Sequence, residues 1–114
     1  MKLTDNTYAQ SAIRFFMYEA NRIAREKGWW NEDRNDGEII ALMHSELSEA
    51  LEAMRHGNPP SEHIPEFSGV EEELADVLIR VFDFAAQRGF DIAGALAAKI
   101  EFNRGREYRH GKKF

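Results

Sequence analysis

Apolar residues recur every three to four positions through most of the chain, and capping or turn residues divide this pattern into four segments. Such spacing is typical of amphipathic helices, and no stretch alternates apolar and polar residues long enough to predict a β-strand. The predicted fold class is therefore all-α, with a four-helix bundle-like core. The predicted helices run from about Thr7 to Lys27, from Asn35 or Asp36 to about His56, from Ser68 to about Arg88, and from about Asp91 to Arg104.

Glycines, prolines and a capping box mark the ends of these helices. Gly28 and Gly57 follow the first and second helices, and Ser68-Gly-Val-Glu71 has the spacing of a capping box. Between the second and third helices, Asn58–Phe67 contains three prolines and is expected to be a loop within one domain. The whole chain predicts a single domain, with an irregular or flexible tail over residues 105–114.

Each of the first three helices has an apolar face that is expected to be buried. In the first helix this face contains Ile13, Phe16, Met17, Ala20, Ile23 and Ala24. In the second it contains Ile39, Ile40, Met43, Leu47, Ala50, Leu51 and Met54. In the third it contains Val70, Leu74, Val77, Leu78, Val81, Phe84 and Ala85.

Two pairs of acids lie three residues apart, Glu46 with Glu49 on the second helix and Glu73 with Asp76 on the third. Either pair alone is typical of a solvated helix face. On an ideal helix, however, the members of both pairs lie about 80° and 140° from the centre of the apolar face, with the same sense of rotation. If the two helices pack antiparallel, these equal offsets bring all four carboxylates to one groove.

Four carboxylates in one groove need a compensating positive charge. Each like-charge pair at about 4 Å costs on the order of 1 kcal/mol in water and several times more at a partly buried site. Because the predicted ligands are all oxygen atoms, the pattern favours Mg²⁺ or Mn²⁺ over zinc. Four other acids of these helices, Glu52, Glu71, Glu72 and Asp83, lie away from this flank and are expected to be surface charges.

Donor side chains continue the buried line of the fourth helix towards the carboxyl end. Lys99, Asn103 and Arg106 recur at helical spacing, and their donors suit phosphate oxygens. The alternative is a solvated helix end whose cations complement the helix dipole. Together with an acidic groove, the row predicts a metal and polyphosphate site.

Two adjacent tryptophans, Trp29 and Trp30, follow the first helix in a polar loop. Both indoles cannot easily be buried in such a loop, so the pair is a candidate platform for stacking a nucleobase. Packing in the core or at an interface is the alternative.

Composition limits the classes of function. The chain has 114 residues, no cysteine and a net charge of −5, which excludes disulfides, thiolate metal sites and a cysteine nucleophile and argues against nucleic-acid binding. The charge is uneven, since residues 99–114 carry +4 and residues 1–98 carry −9. No apolar run approaches the roughly 18 residues that span a membrane, and Met1–Gln10 lacks a signal core, so we expect a cytoplasmic protein with no membrane partner.

The segments EIIALMHSELSEALEAMRHG and VEEELADVLIRVFDF, which carry the two acid pairs in this order, resemble the metal-binding helices of MazG-like all-α nucleoside triphosphate pyrophosphohydrolases. KIEFNRGREYRHGKKF is similar to the end of many members, and the resemblance covers Trp29 to Lys112. It implies Mg²⁺-dependent hydrolysis of a (d)NTP to a nucleoside monophosphate and pyrophosphate. It also implies that Glu46, Glu49, Glu73 and Asp76 are the metal-binding and catalytic residues and that Lys99, Asn103 and Arg106 hold phosphates.

The resemblance further implies a homodimer or a dimer of dimers. The first helix is the predicted contact, because Phe15, Phe16, Met17 and Tyr18 cover more than one of its faces.

Other functions fit the chain less well or stay open. A di-iron bundle requires two Glu-x-x-His motifs, and only Glu107 with His110 has that spacing. An EF-hand over Asn31–Gly37 would place Arg34 at a ligand position, and the chain has no P-loop. Two alternatives stay open: a phosphoribosyl-ATP pyrophosphohydrolase and a non-catalytic helical interaction module of the same fold.

Overall fold

The computed structural model describes residues 1–114 and shows an all-α chain. Four helices, α1 Thr7–Glu26, α2 Asp36–Arg55, α3 Gly69–Arg88 and α4 Ile92–Arg104, are flanked by 3₁₀ turns at Leu3–Asp5 and Tyr108–Gly111. The predicted helix bounds are confirmed to within one residue. None of the four helices combines the length and apolar character that crossing a membrane requires.

Local capping explains why the bounds follow the sequence so closely. Asn6, Asn35 and Asp91 each accept a hydrogen bond from a backbone N–H in the first turn of α1, α2 and α4. Ser68 and Glu71 form the predicted capping box at the start of α3. These side chains accept hydrogen bonds from backbone N–H groups that have no carbonyl partner within the helix. Each helix therefore begins directly after its capping residue.

Helix α3 lies at the centre of the chain, packed against α2 on one side and α1 on the other, while α4 packs against α1 and the Leu3–Asp5 turn. The α2 and α3 helices are antiparallel, as predicted. Arg88 at the end of α3 donates from Nε to Asp36 Oδ1 at the start of α2, at 2.9 Å. At the opposite end, Gly69 lies so close to Ala53 that an added Cβ would come within 3.3 Å of the alanine side chain.

The proline-containing connection between α2 and α3 is folded onto α3. The backbone N–H of Ser61 donates to the carbonyl of Phe67 at 2.8 Å, and Ser61 is buried. Its Oγ donates to Glu72 Oε1 at 2.5 Å, and His63 Nδ1 lies 2.6 Å from Glu72 Oε2. The expectation that Glu72 is a plain surface charge is therefore wrong, because its carboxylate anchors this loop.

Very few side chains are fully covered in the single chain. The buried apolar residues are Met17, Ile39, Ala50, Ala85, Ala93 and Ala97. Phe16 and Ile23, predicted to be buried in the first helix, are 59% and 48% exposed. Much of the predicted apolar face of α2 and α3 is also open to solvent, namely Ile40, Leu47, Leu51, Met54, Leu74 and Leu78. These predictions of burial were wrong for the isolated chain because no other element of it covers those faces.

Candidate active site

Carboxylates from α2 and α3 meet across the seam between the two helices. Glu46, Glu49 and Glu73 each offer one oxygen atom, and the three atoms lie within 4.8 Å of one another. Asp76, one turn further along α3, lies outside this group but lines the adjoining cavity together with Glu46. The antiparallel packing thus brings three of the four predicted acids together and places the fourth beside them.

The electrostatics of this group centre on Glu73. Its Oε2 atom is buried and has no hydrogen-bond partner. Burial raises the pKa of Glu73 to about 7, and the neighbouring carboxyls of Glu49 and Glu46 act in the same direction. Burial and the charge of Glu46 also raise the pKa of Asp76. At neutral pH the group therefore needs a proton or a cation to offset its negative charge.

Arg80 supplies part of that positive charge. From α3 it donates to Glu46 Oε1 through Nε at 2.8 Å, with Nη2 at 2.7 Å from the same oxygen. Burial acts to raise the pKa of Glu46, but the hydrogen bonds from Arg80 and from the adjacent carboxyls outweigh it, and the pKa is lowered. Glu46 is thus held ionised at neutral pH, whereas Glu73, with a pKa of about 7, is protonated in part of the molecules.

The three carboxylates fit a hard divalent cation. All donors are oxygen atoms, which is the ligand type that Mg²⁺ and Mn²⁺ prefer. The unpartnered buried Oε2 of Glu73 is a polar atom that a cation would satisfy, since the neighbouring carboxylates, once ionised, can only accept hydrogen bonds.

A cavity of about 300 Å³ opens beside the acids, between α1, the tryptophan loop and α3. Three cations, Lys27, Arg34 and Arg80, line it together with Glu46 and Asp76. The remaining wall is formed by Ala20, Ile23, Ala24, Trp29, Ile79 and Asp83. The cavity therefore combines acidic, cationic and apolar side chains in its wall.

The two tryptophans have different surroundings. Trp29 lines the cavity and is 58% exposed. Trp30 points its Nε1 at Asp83 Oδ1, 2.9 Å away, and the Arg34 guanidinium lies 4.9 Å from its ring centroid. Asp83, expected to be a surface charge, is only 9% exposed, so that expectation is wrong. Trp29 therefore faces the candidate site, whereas Trp30 is tied into the scaffold beneath it.

The donor row of α4 lies elsewhere in the single chain. Lys99, Asn103 and Arg106 are exposed and are absent from the cavity wall. The helix ends at Arg104, one residue before Gly105, so Arg106 lies beyond it. Lys99 Nζ and the Arg106 guanidinium carbon lie 4.6 and 5.7 Å from the ring centroid of Phe102.

Comparison with known proteins identifies the family. Residues 35–107 match the MazG nucleotide pyrophosphohydrolase domain. The chain belongs to this family. It is also 33% identical over 78 residues to the dATP/dGTP diphosphohydrolase of Cyanophage S-2L, a match that covers 68% of this chain and 63% of that relative. No solved structure matches the chain.

The MazG match includes all four acids, the loop between α2 and α3, and α4, but neither α1 nor the tryptophans. Members of the MazG family typically use a divalent metal, and the acidic group of this chain is in place for one. Arg80 and the buried position of Asp83 were not predicted from the sequence. The position of Arg80 could have been predicted, because it lies four residues after Asp76 and therefore on the same side of α3.

Proposed function

We propose that this MazG-family chain is a Mg²⁺-dependent nucleotide pyrophosphohydrolase that cleaves the α–β phosphate bond of a nucleoside triphosphate. The products are a nucleoside monophosphate and pyrophosphate. The observation that carries the proposal is the convergence of Glu46, Glu49 and Glu73 around the unpartnered Oε2 of Glu73, inside the matched domain. Similarity to a relative named for dATP and dGTP supports a deoxynucleoside triphosphate as substrate.

Three of the four acids lie at the seam between α2 and α3, and the fourth lies at the edge of the cavity. Glu46, Glu49 and Glu73 would hold Mg²⁺, or Mn²⁺ in its place, with Asp76 completing the acidic wall. When bound, such an ion neutralises phosphate charge and makes an attacking water more acidic. Arg80 and Lys27 line the same cavity and can donate to phosphate oxygens, which absorbs charge that develops on them.

The nucleoside is proposed to occupy the cavity against Trp29. An exposed indole face beside Ile23 and Ile79 gives a base apolar contact on one side without closing the mouth of the cavity. Trp30, the second tryptophan of the predicted platform, supports this wall through its bond to Asp83.

We also propose that the working form is a homo-oligomer. The chain exposes 8619 Å², whereas a compact monomer of 13.1 kDa exposes about 6,400 Å². Its radius of gyration is 16.4 Å, against about 13 Å for a compact chain of this length. The excess of about 2,200 Å² is of the size that stable dimers bury.

The open face of α2 and α3 is the surface that a second copy would cover. Leu47, Leu51 and Leu78 are 47%, 53% and 54% exposed on two adjacent helices. On α1, Met17 of the predicted contact is buried, while Phe15, Phe16 and Tyr18 are exposed. We assign the principal dimer contact to the face of α2 and α3, and a contact between dimers to α1.

A dimer would also give the α4 row a role. Because Lys99, Asn103 and Arg106 do not line the cavity of their own chain, we propose that they reach the phosphates of the site in a second copy. In this arrangement the whole chain forms one domain, and its residues 105–114 lie close to the active site of the second copy.

The proposal is tested by identifying the products of purified protein with Mg²⁺ across the eight common nucleoside triphosphates and phosphoribosyl-ATP. We expect pyrophosphate and a nucleoside monophosphate from at least one of them. Orthophosphate with a nucleoside diphosphate would contradict the assigned bond. Turnover of phosphoribosyl-ATP alone would establish that alternative, and no turnover of any substrate would leave a non-catalytic helical module.

A further inference from the structure

Asp83 presents a free acceptor to the cavity. The residue is 9% exposed, and both of its side-chain hydrogen bonds are made by Oδ1, which accepts from Asn21 Nδ2 at 2.9 Å and from Trp30 Nε1 at 2.9 Å. No protein donor reaches Oδ2, although Asp83 lines the cavity. Because Oδ2 is open to the cavity and is not sealed from solvent, a ligand that donates to it can take the place of water there.

The position of Asp83 relative to the acids fits a nucleotide. Asp76, Arg80 and Asp83 follow one another along the side of α3 that lines the cavity. Asp83 follows Asp76 by seven positions along the helix, a rise of about 10 Å. This is comparable to the span of a nucleoside monophosphate from its phosphorus to the far edge of its base. A phosphate at Asp76 would therefore place the base at Asp83.

We propose that Asp83 is a specificity-determining residue whose Oδ2 accepts a hydrogen bond from the exocyclic amino group that adenine carries at C6 and cytosine at C4. The inference rests on the proposed function and names the substrate class of the same site. Guanine and hypoxanthine at C6, and uracil and thymine at C4, carry a carbonyl at the corresponding position, and that carbonyl would face a second acceptor. A site built to pair a substrate N–H discriminates strongly against an analogue that lacks it.

The Asn21 and Trp30 bonds explain how this acceptor is held in place. Two donors on Oδ1 fix the orientation of the carboxylate, so Oδ2 stays directed away from them. Asn21 Nδ2 is in turn 2.9 Å from Gln87 Oε1, which ties α1 to the same turn of α3. Because the acceptor is already held in one orientation, it loses little conformational entropy when a base binds.

The test is the binding of α,β-methylene deoxynucleoside triphosphates, which cannot be cleaved at the proposed bond, to the Mg²⁺-loaded protein by calorimetry. The dATP and dITP analogues form one pair, and the dCTP and dUTP analogues form another; in each pair the first base has an amino group where the second has a carbonyl. In the pair that binds more tightly, we expect the dissociation constant of the amino-bearing analogue to be at least about tenfold lower than that of its carbonyl counterpart. In Asp83→Asn, which keeps Oδ1 but turns Oδ2 into a donor, we expect this ratio to fall to one or reverse.

Trp30→Phe is the matched control, because it removes one donor from Oδ1 and leaves Oδ2 unchanged. It is expected to weaken both members of a pair together, with the ratio preserved. An unchanged ratio in Asp83→Asn, an equal change in both variants, or no binding of any analogue would overturn the inference. Hydrolysis is measured separately, so an Asp83-dependent ratio without turnover would refute the proposed function and leave this inference standing.

Discussion

Arg80 on α3 places two nitrogens, Nε and Nη2, within 2.8 and 2.7 Å of a single oxygen of Glu46 on α2. The side chains are 31% and 10% exposed, so the pair is largely shielded from water. This contact joins the two helices that carry the acids and offsets one negative charge of the group. Arg80 therefore acts both as a clamp between α2 and α3 and as a fixed cation at the edge of the candidate site.

Replacing Arg80 by methionine should destabilise the metal-free protein. The change leaves Glu46 buried beside other carboxylates without its cation, and we expect a loss of about 2 kcal/mol in the free energy of unfolding. Urea denaturation with and without Mg²⁺ measures this loss, and Mg²⁺ should restore more stability to Arg80→Met than to the wild type.

Arg22→Met is the matched control, since Arg22 pairs with Glu19 and Glu26 on the open surface of α1. Its unfolding should match the wild type. Equal losses in the two arginine variants would show that the Glu46 pair has no special role.

The raised pKa of Glu73 predicts how stability depends on pH. Its folded value of about 7 exceeds its usual value of 4.5, so between these values the folded chain holds a proton that the unfolded chain has lost. Stability should therefore fall as pH rises through that window. The bond to Glu72 raises the pKa of His63, which acts in the same direction at pH values above 6.5. Melting temperatures in EDTA between about pH 5 and pH 8 should show the decline.

Glu73→Gln isolates the contribution of Glu73, because glutamine does not titrate. The variant should show a shallower decline, to which His63 and the raised pKa of Asp76 still contribute. A bound divalent ion must displace the proton, so wild-type affinity for Mg²⁺ should rise over the same pH window. A Glu73→Gln slope as steep as that of the wild type would rule out Glu73 as the source.

The open face of α2 and α3 predicts a specific loss of assembly. Leu51→Glu places a charge in the proposed dimer contact and should convert the protein to monomers at micromolar concentration, as measured by light scattering. Phe15→Glu, on the exposed side of α1, should at most split a tetramer into dimers. A monomeric wild-type protein would contradict the proposed assembly, and dissociation to monomers by Phe15→Glu alone would place the main contact on α1.

The proposed role of the α4 row predicts complementation between two inactive variants. Glu46→Gln damages the acids, and Lys99→Ala damages the donor row of the same chain. If each site combines the acids of one copy with Lys99, Asn103 and Arg106 of another, a dimer that contains one copy of each variant has one intact site. Mixing equal amounts should restore roughly a quarter of wild-type activity in a symmetric dimer. No recovery, with mixed dimers verified by tagged copies, would place the row and the acids in the same chain.

Much of the fold was predictable because its signals are local. The caps Asn35 and Ser68 and the glycines after the helices set the bounds, and each acts within four residues of chain. The convergence of Glu46, Glu49 and Glu73 followed from helical periodicity and an antiparallel seam. No such periodic rule sets the distance of Asp76 from this group, which depends on side-chain placement.

Features that depend on distant partners were not predictable. Asp83 is buried because Asn21 and Trp30, 62 and 53 residues away in sequence, donate to it. The exposure of Leu51 and Leu78 reflects surface that the single chain does not cover, so an apolar face alone does not reveal what will bury it.

The metal centre between α2 and α3 is tested most directly by measuring pyrophosphate release as a function of Mg²⁺ in the wild type, Glu46→Gln and Asp76→Asn, with Glu52→Gln as control. Glu52 lies on α2 but pairs with His56 on the surface, away from the acidic group. We predict Mg²⁺-dependent release in the wild type and Glu52→Gln, and loss of at least about 100-fold in the other two variants. Unchanged turnover in both Glu46→Gln and Asp76→Asn would contradict a catalytic metal centre between α2 and α3.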